Sequence, residues 1–184
     1  HVQKETPCRI RTPGTEKTMR ESPYLKNRDD LIGTLRKIPF LSSYEIKFLR
    51  KILELSKLRI YGADEIITRQ GEYDTWLYVI LSGEVRVVKD EEEIARLDAQ
   101  GGTFGELAMI DGEARSASVY AVSENTTCLA IDGALLDRLD PWERTDFEAV
   151  YYRLLAEILA HRLRITSSEL SRVKQNLEFI NKTS

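Results

Sequence analysis

Leu77–Val88 reads L-Y-V-I-L-S-G-E-V-R-V-V. A short apolar run, Leu77–Leu81, meets a bend at Ser82-Gly83. Glu84–Val88 then alternates, with Val85 and Val87 on one face and Glu84 and Arg86 on the other. That is a strand, a glycine bend and a second strand. The pattern extends in both directions. Lys57–Tyr61 and Glu65–Thr68 are short strand candidates upstream. Glu93–Leu97 alternates weakly as a hairpin partner, and Ser116–Val122 and Thr127–Ile131 continue the series. Many short strands with glycine-rich punctuation predict a mainly β protein, closed or sandwiched and antiparallel.

The flanks have a different period. From Asp30, Leu31, Leu35 and Ile38 fall at helical spacing until Pro39 interrupts. Ser42 or Ser43 is placed to cap a second helix carrying Ile46, Leu49, Ile52, Leu53 and Leu55. Residues 1–29 are polar and broken by Pro7, Pro13, Gly14 and Pro23. They are expected to be a disordered or loosely docked tail, with a docked helix as the alternative. After the strands, Gly133–Leu139 suits a short helix, and Pro141 suits the first turn of a longer one. No proline or glycine follows Pro141.

Ala156, Leu159, Leu163, Thr166, Leu170, Val173, Leu177 and Ile180 then recur in alternating steps of three and four. Sustained over this length, that is the heptad seam of a coiled coil, which predicts a homodimer through this helix. One amphipathic helix lying on its own body is the alternative. Thr166 sits in the seam, where a polar residue costs stability and fixes register or serves a site. The expected units are a tail over 1–29, a β domain over 30–140 and a long helix over 141–184.

Composition limits the function. The chain has 184 residues, room for one domain with a helical extension. A net charge of −3 gives no basic footprint for nucleic acid. Cys8 and Cys128 form no metal spacing, and Cys128 lies in the apolar run T-T-C-L-A-I as a small buried hydrophobe. A reducing cytoplasm fits, and no apolar stretch has the length to cross a bilayer. His161 has no partner cluster, and Asp90-Glu91-Glu92-Glu93 is best explained as a solvated hairpin tip. No metal motif and no nucleophile–base pair is visible, so no catalytic residue is assigned. A metal-bearing barrel enzyme would need histidine ligands on the strands, and the strand region has none.

The chemistry concentrates in Phe104–Ala121, F-G-E-L-A-M-I-D-G-E-A-R-S-A-S-V-Y-A. Gly105 permits close backbone approach. A short turn there aims successive N–H groups at an anion. Arg115 adds a planar, permanent cation matched to phosphate oxygens. Glu106 repels phosphate, but it can face away and accept hydrogen bonds from a sugar hydroxyl. Phosphate with ribose indicates a nucleotide.

The order and spacing of this stretch resemble the phosphate-binding cassette of cyclic nucleotide-binding domains. The family reads Phe-Gly-Glu-Leu-Ala, a linker, then Pro-Arg and small residues, with the separation found here between Glu106 and Arg115. The departures are Ala114, where Pro is common, and Ser118, where Thr is frequent. Gly71–Val85, G-E-Y-D-T-W-L-Y-V-I-L-S-G-E-V, also resembles the family, with Gly71 and Gly83 as turn residues. Asp64 stands where a glycine is common.

The resemblance implies an eight-stranded jelly-roll barrel with flanking helices and a non-catalytic regulatory module. Gly105, Glu106, Leu107, Ala108, Arg115, Ser116 and Ala117 would contact the ligand. L-A-H-R-L-R-I-T-S-S-E-L (159–170) is similar to the dimer helix of the bacterial cyclic AMP receptor type. By that likeness Arg162 faces the phosphate region, and Thr166 with Ser167 of a second copy contacts the adenine amino group. Cyclic AMP is the expected ligand, and no cofactor is implied. Cyclic GMP is the alternative, because Ser116 can imitate the threonine of some cyclic GMP-binding relatives. A DNA-binding regulator whose helix-turn-helix is absent from this chain is the competing function, beside a channel or kinase regulatory fragment.

Overall fold

The computed structural model of the chain describes residues 19–99 and 102–183. The expectations for Pro7, Cys8, Pro13 and Gly14 lie outside the described residues. The strands form two antiparallel sheets. The first has the order β1 (Arg20–Glu21), β2 (Ser56–Tyr61), β9 (Thr126–Asp132), β4 (Trp76–Ser82), β7 (Thr103–Phe104). The second runs β3 (Ile66–Thr68), β8 (Ser118–Ala121), β5 (Glu84–Lys89), β6 (Glu92–Asp98). The strand expected over Ser116–Val122 is thus shorter, while the others gain a residue at one or both ends or, for β3, begin one later.

The apolar alternation sorts side chains between two cores. Tyr61, Tyr78, Ile80 and Cys128 of the first sheet meet Val85, Val87, Val119 and Ala121 of the second, filling the space between the sheets. Leu77, Val79, Leu129 and Ile131 point out of the first sheet's other face. Helices cover that face. The bend between β4 and β5 needs its glycine. Gly83 has φ +86°, and a Cβ there would lie 2.7 Å from the Thr126 hydroxyl oxygen and 2.9 Å from that of Ser123. The β5–β6 tip turns through Asp90 (φ 51°) and Glu91 (φ 71°), left-handed as a tight hairpin requires, with its carboxylates exposed.

Two expectations about the N-terminal region change. Residues 19–29 are docked: Arg20 pairs with Ile60 and Glu21 with Arg59, and Leu25 is buried. Glu21 holds both Lys57 and Arg59 at 2.6 Å. Burial pushes the Glu21 carboxyl up, and the two cations outweigh it, so its pKa ends below the ordinary value. Ser42 and Ser43 do not cap the second helix. Pro39 starts a 3-10 turn, Pro39–Leu41, and the Ser42 hydroxyl donates back to the Pro39 carbonyl at 2.8 Å. α1 is Ile32–Leu35, and α2 (Ile46–Glu54) starts after Glu45 with no side-chain cap.

A 3-10 turn, Gly133–Arg138, precedes the long helix. α3 is Glu106–Asp111, and α4 runs Pro141–Thr183. α4 packs through Phe147, Tyr151, Leu154, Leu155 and Ile158, all buried. Phe147 meets Phe48 of α2 with ring centroids 5.0 Å apart. This stripe is distinct from the heptad seam. Packing on its own body therefore accounts for α4 only as far as Arg162, and every residue from Leu163 to Ile180 is exposed.

Candidate functional site

β7 delivers the chain to Gly105, and α3 begins at the next residue. Gly105 has φ +93°, a conformation other residues rarely hold. A Cβ there would sit 2.5 Å from the Trp76 carbonyl oxygen and collide with the Arg115 guanidinium. The glycine therefore lets Arg115 pass directly beneath the turn.

Arg115 is buried at 5% exposure, and its backbone is tied to the loop before β4. Its N–H donates to the Glu72 carbonyl at 2.8 Å, and its carbonyl accepts from Gly71 N–H at 2.9 Å. Its guanidinium is nearly saturated by protein. Nε donates to Asp74 Oδ2 at 3.0 Å, Nη1 to the Gly105 carbonyl at 3.0 Å, and Nη2 to the Trp76 carbonyl at 2.5 Å and to Asp74 Oδ1. A guanidinium has five N–H groups, so one on Nη1 has no protein acceptor among the described residues. Asp74 Oδ1 also accepts from the Trp76 N–H at 2.9 Å. The aspartate thus locks both the loop and the orientation of the arginine.

Glu106 is the more unusual group. It is 1% exposed, and Oε1 accepts from Nη1 of Arg162 on α4. Oε2 is buried with no hydrogen-bond partner. A buried carboxylate oxygen left unpaired costs free energy of roughly 1–3 kcal/mol or more. An atom held at that cost calls for a donor from outside the chain, a water or a ligand.

Eight of the ten anticipated site residues line one pocket of about 60 Å³: Gly105, Glu106, Leu107, Ala108, Arg115, Ser116, Ala117 and Arg162. Thr68, Val87, Phe104 and Val119 complete it. The inward alternation of Val87 and Val119 was a signal for those two, while nothing in the sequence singled out Thr68. Thr166 and Ser167 do not reach this pocket. They lie just beyond Arg162 on α4, both exposed. Asp74 also escaped the sequence reading, because its role arises from a contact 41 residues away.

Behind the pocket, Phe104 stacks on Tyr78 with centroids 4.8 Å apart. Burial raises the Tyr78 phenol above its ordinary pKa, so it is neutral at pH 7 and accepts from Arg59 Nη1 at 2.6 Å. Cys128 is fully buried, as expected, and burial pushes its thiol up to about 12. Among the described residues no cluster of His, Cys, Asp or Glu is arranged to hold a metal, and no helix is long and apolar enough to cross a membrane.

Known proteins are similar to this chain in sequence and in fold. Residues 58–139 match the cyclic nucleotide-binding domain family, which is a regulatory domain and not a catalytic one. The chain is 31% identical over 121 residues to cGMP-dependent protein kinase isozyme 1 of Drosophila melanogaster, covering 62% of this chain and 16% of that protein. It is 36% identical over 87 residues to the cAMP-dependent protein kinase regulatory subunit of Schizosaccharomyces pombe, covering 47% of this chain and 21% of that one. The chain therefore spans about a fifth or less of these relatives. The catabolite activator protein of Thermus thermophilus is similar in structure, with a TM-score of 0.57 and 29% identity, over 74% of this chain and 63% of that one.

Proposed function

We propose that the chain is a cyclic nucleotide sensor that prefers cyclic AMP and passes the signal through α4. The single observation that carries this is the buried, unpartnered Oε2 of Glu106 beside a preassembled arginine. A ribose hydroxyl would donate to Oε2. The phosphate would take the remaining Nη1 N–H of Arg115, the Ser116 hydroxyl and the backbone N–H groups at the start of α3, which have no intrahelical partners. Leu107, Ala108 and Ala117 keep the walls small and apolar.

Arg162 supplies the link to α4. It already occupies Oε1 of Glu106. A ligand that changes the electrostatics of that carboxylate alters how firmly α4 is held, by no more than its differential affinity for the two helix positions. The exposed seam, with Leu163, Leu170, Val173, Leu177 and Ile180 each about half-exposed or more, supports a parallel dimer. In such a dimer Thr166 and the Ser167 of the second copy would meet the base. Adenine over guanine rests on the likeness of 159–170 to the bacterial receptor helix. We take 30–140 as the ligand-binding jelly roll and 141–184 as the dimer helix.

Calorimetry with cyclic AMP and cyclic GMP on the wild type and Arg115→Lys tests this. Lysine keeps the charge but loses the fork, so a weakening of roughly 10- to 150-fold is expected, equivalent to about 1.5–3 kcal/mol. Alanine is a poorer probe, since it would strand Asp74 and two carbonyls. Absence of binding by either nucleotide refutes the proposal, and tighter binding of cyclic GMP refutes the base preference.

A further inference from the structure

Thr68 lines the cassette pocket and is 5% exposed. It is the last residue of β3, the edge strand of the second sheet. It pairs with Val119 of β8, which pairs in turn with Val87 of β5. Directly paired residues share a face, so Thr68, Val119 and Val87 form one row across the pocket floor. The two valines are apolar, as the inside of a sandwich requires. Thr68 ends the row with a hydroxyl.

The strand departs from regularity to put it there. Ile66 pairs with Tyr120 and Thr68 with Val119, so two steps along β3 answer one step along β8. Ile67 packs against the core between the sheets. In a regular strand the next side chain would face outward. The bulge resets the phase and turns Thr68 inward as well, as bulges beside functional sites do.

The inward hydroxyl meets no protein partner among the described residues. Its neighbour Ser118 shows the contrast, since that hydroxyl accepts from Gln70 N–H at 2.9 Å. The Thr68 oxygen is also not sealed. The sealed, unpartnered side-chain atoms among the described residues are Glu106 Oε2 and the Tyr151 hydroxyl. Thr68 Oγ1 therefore keeps contact with open space, and the opening it lines is the cassette pocket. Valine would fill the same volume without leaving a hydroxyl unpaired.

Position selects the ligand atom. Ala117 precedes Val119 by two residues, on the Thr68 side of the pocket, and follows Arg115 and Ser116. Glu106 and Arg162, at the ribose end, belong to α3 and α4 instead. The phosphate end is also short of donors. Asp74, Gly105 and Trp76 leave Arg115 one N–H on Nη1.

We propose that Thr68 is a further ligand-binding residue, donating its hydroxyl to one non-bridging oxygen of a cyclic nucleotide's phosphate. This rests on the cyclic nucleotide reading of the same pocket. The hydroxyl adds a hydrogen bond without a charge where the guanidinium is already spent.

Calorimetry with cyclic AMP on the wild type, Thr68→Val, Thr68→Ala and Thr68→Ser tests this. Thr68→Val keeps the branched shape of the row and should melt no lower than the wild type, yet bind roughly tenfold or more weakly. Thr68→Ser restores the hydroxyl and should recover binding to within roughly threefold. The two phosphorothioates, with sulfur in place of one or the other non-bridging oxygen, should bind the wild type unequally. Thr68→Val should shrink that inequality, and Thr68→Ala carries the same comparisons if Thr68→Val does not fold. Undiminished binding by Thr68→Val, or an unchanged phosphorothioate preference, would overturn the proposal. So would a loss in Thr68→Val that vanishes with 2′-deoxy cyclic AMP, which would put the hydroxyl on the ribose. A wild type that binds no cyclic nucleotide would refute the nucleotide reading and this proposal with it, whereas equal binding by wild type and Thr68→Val removes this proposal alone.

Discussion

Arg162→Ala should loosen the contact between α4 and the cassette, and the structure sets the size of the effect. Glu106 is 1% exposed while the Arg162 side chain is 39% exposed. Removing one member of a fully buried pair costs about 3–5 kcal/mol, because the other charge stays buried alone. Two features lower that figure here. The arginine is partly solvated, so its attraction is screened. The pocket of about 60 Å³ also has room for a water to replace one hydrogen bond of Glu106. A loss of about 1–2 kcal/mol is therefore expected.

A double-mutant cycle with Glu106→Gln isolates the interaction from the packing of the arginine stem. The glutamine keeps the shape and removes the charge. Urea unfolding of the wild type, both single variants and the double variant, followed by far-ultraviolet dichroism, gives the coupling. A value of about 1–2 kcal/mol is expected, because contacting residues couple well above the few tenths typical of distant sites. A coupling below about 0.5 kcal/mol would mean that the Arg162–Glu106 contact is not maintained in solution. α4 would then lack its direct handle on the cassette.

Three other outcomes follow from named contacts. Gly105→Ala forces a side chain into a left-handed conformation and against the Arg115 guanidinium, and should cost about 2 kcal/mol or more, read as a fall in Tm of roughly 4–8 °C. Cys128 should resist iodoacetamide at pH 8 until the chain unfolds, as peptide mapping of the alkylated site can check. Its folded pKa lies above the unfolded one, so its contribution to stability is complete below about pH 8.5 and is lost as the pH rises toward about 12; unfolding free energies that stay level across that range would contradict the burial. Leu170→Asp with Leu177→Asp should leave the melting of the β body unchanged and abolish the proposed dimer in sedimentation, since both side chains are more than half exposed on α4.

Much of this molecule was legible because its signals are local. Strands β4 and β5 showed in the alternation around Ser82-Gly83, and α4 in an unbroken helical period after Pro141. The capping serines misled because Pro39 holds its own turn and consumes the Ser42 hydroxyl. Strand β1 was hidden because two polar residues, Arg20 and Glu21, carry no alternation to detect. Their docking comes from backbone pairing with β2 and from the Lys57 and Arg59 cations.

The sequence by itself determined the types of the main strands and helices and set the cassette residues side by side along the chain. Period two, period three to four, and a glycine at the turn are properties of neighbours along the chain. Only the tertiary structure decided which groups are spent and which are left over. Asp74 reaches Arg115 across 41 residues, and Arg162 reaches Glu106 across 56. No local pattern encodes either contact. They leave Arg115 almost saturated, one oxygen of Glu106 buried without a partner, and the seam of α4 uncovered. Burial removes the water that would otherwise satisfy such groups, so only a folded chain can have an unmet hydrogen bond to offer a ligand.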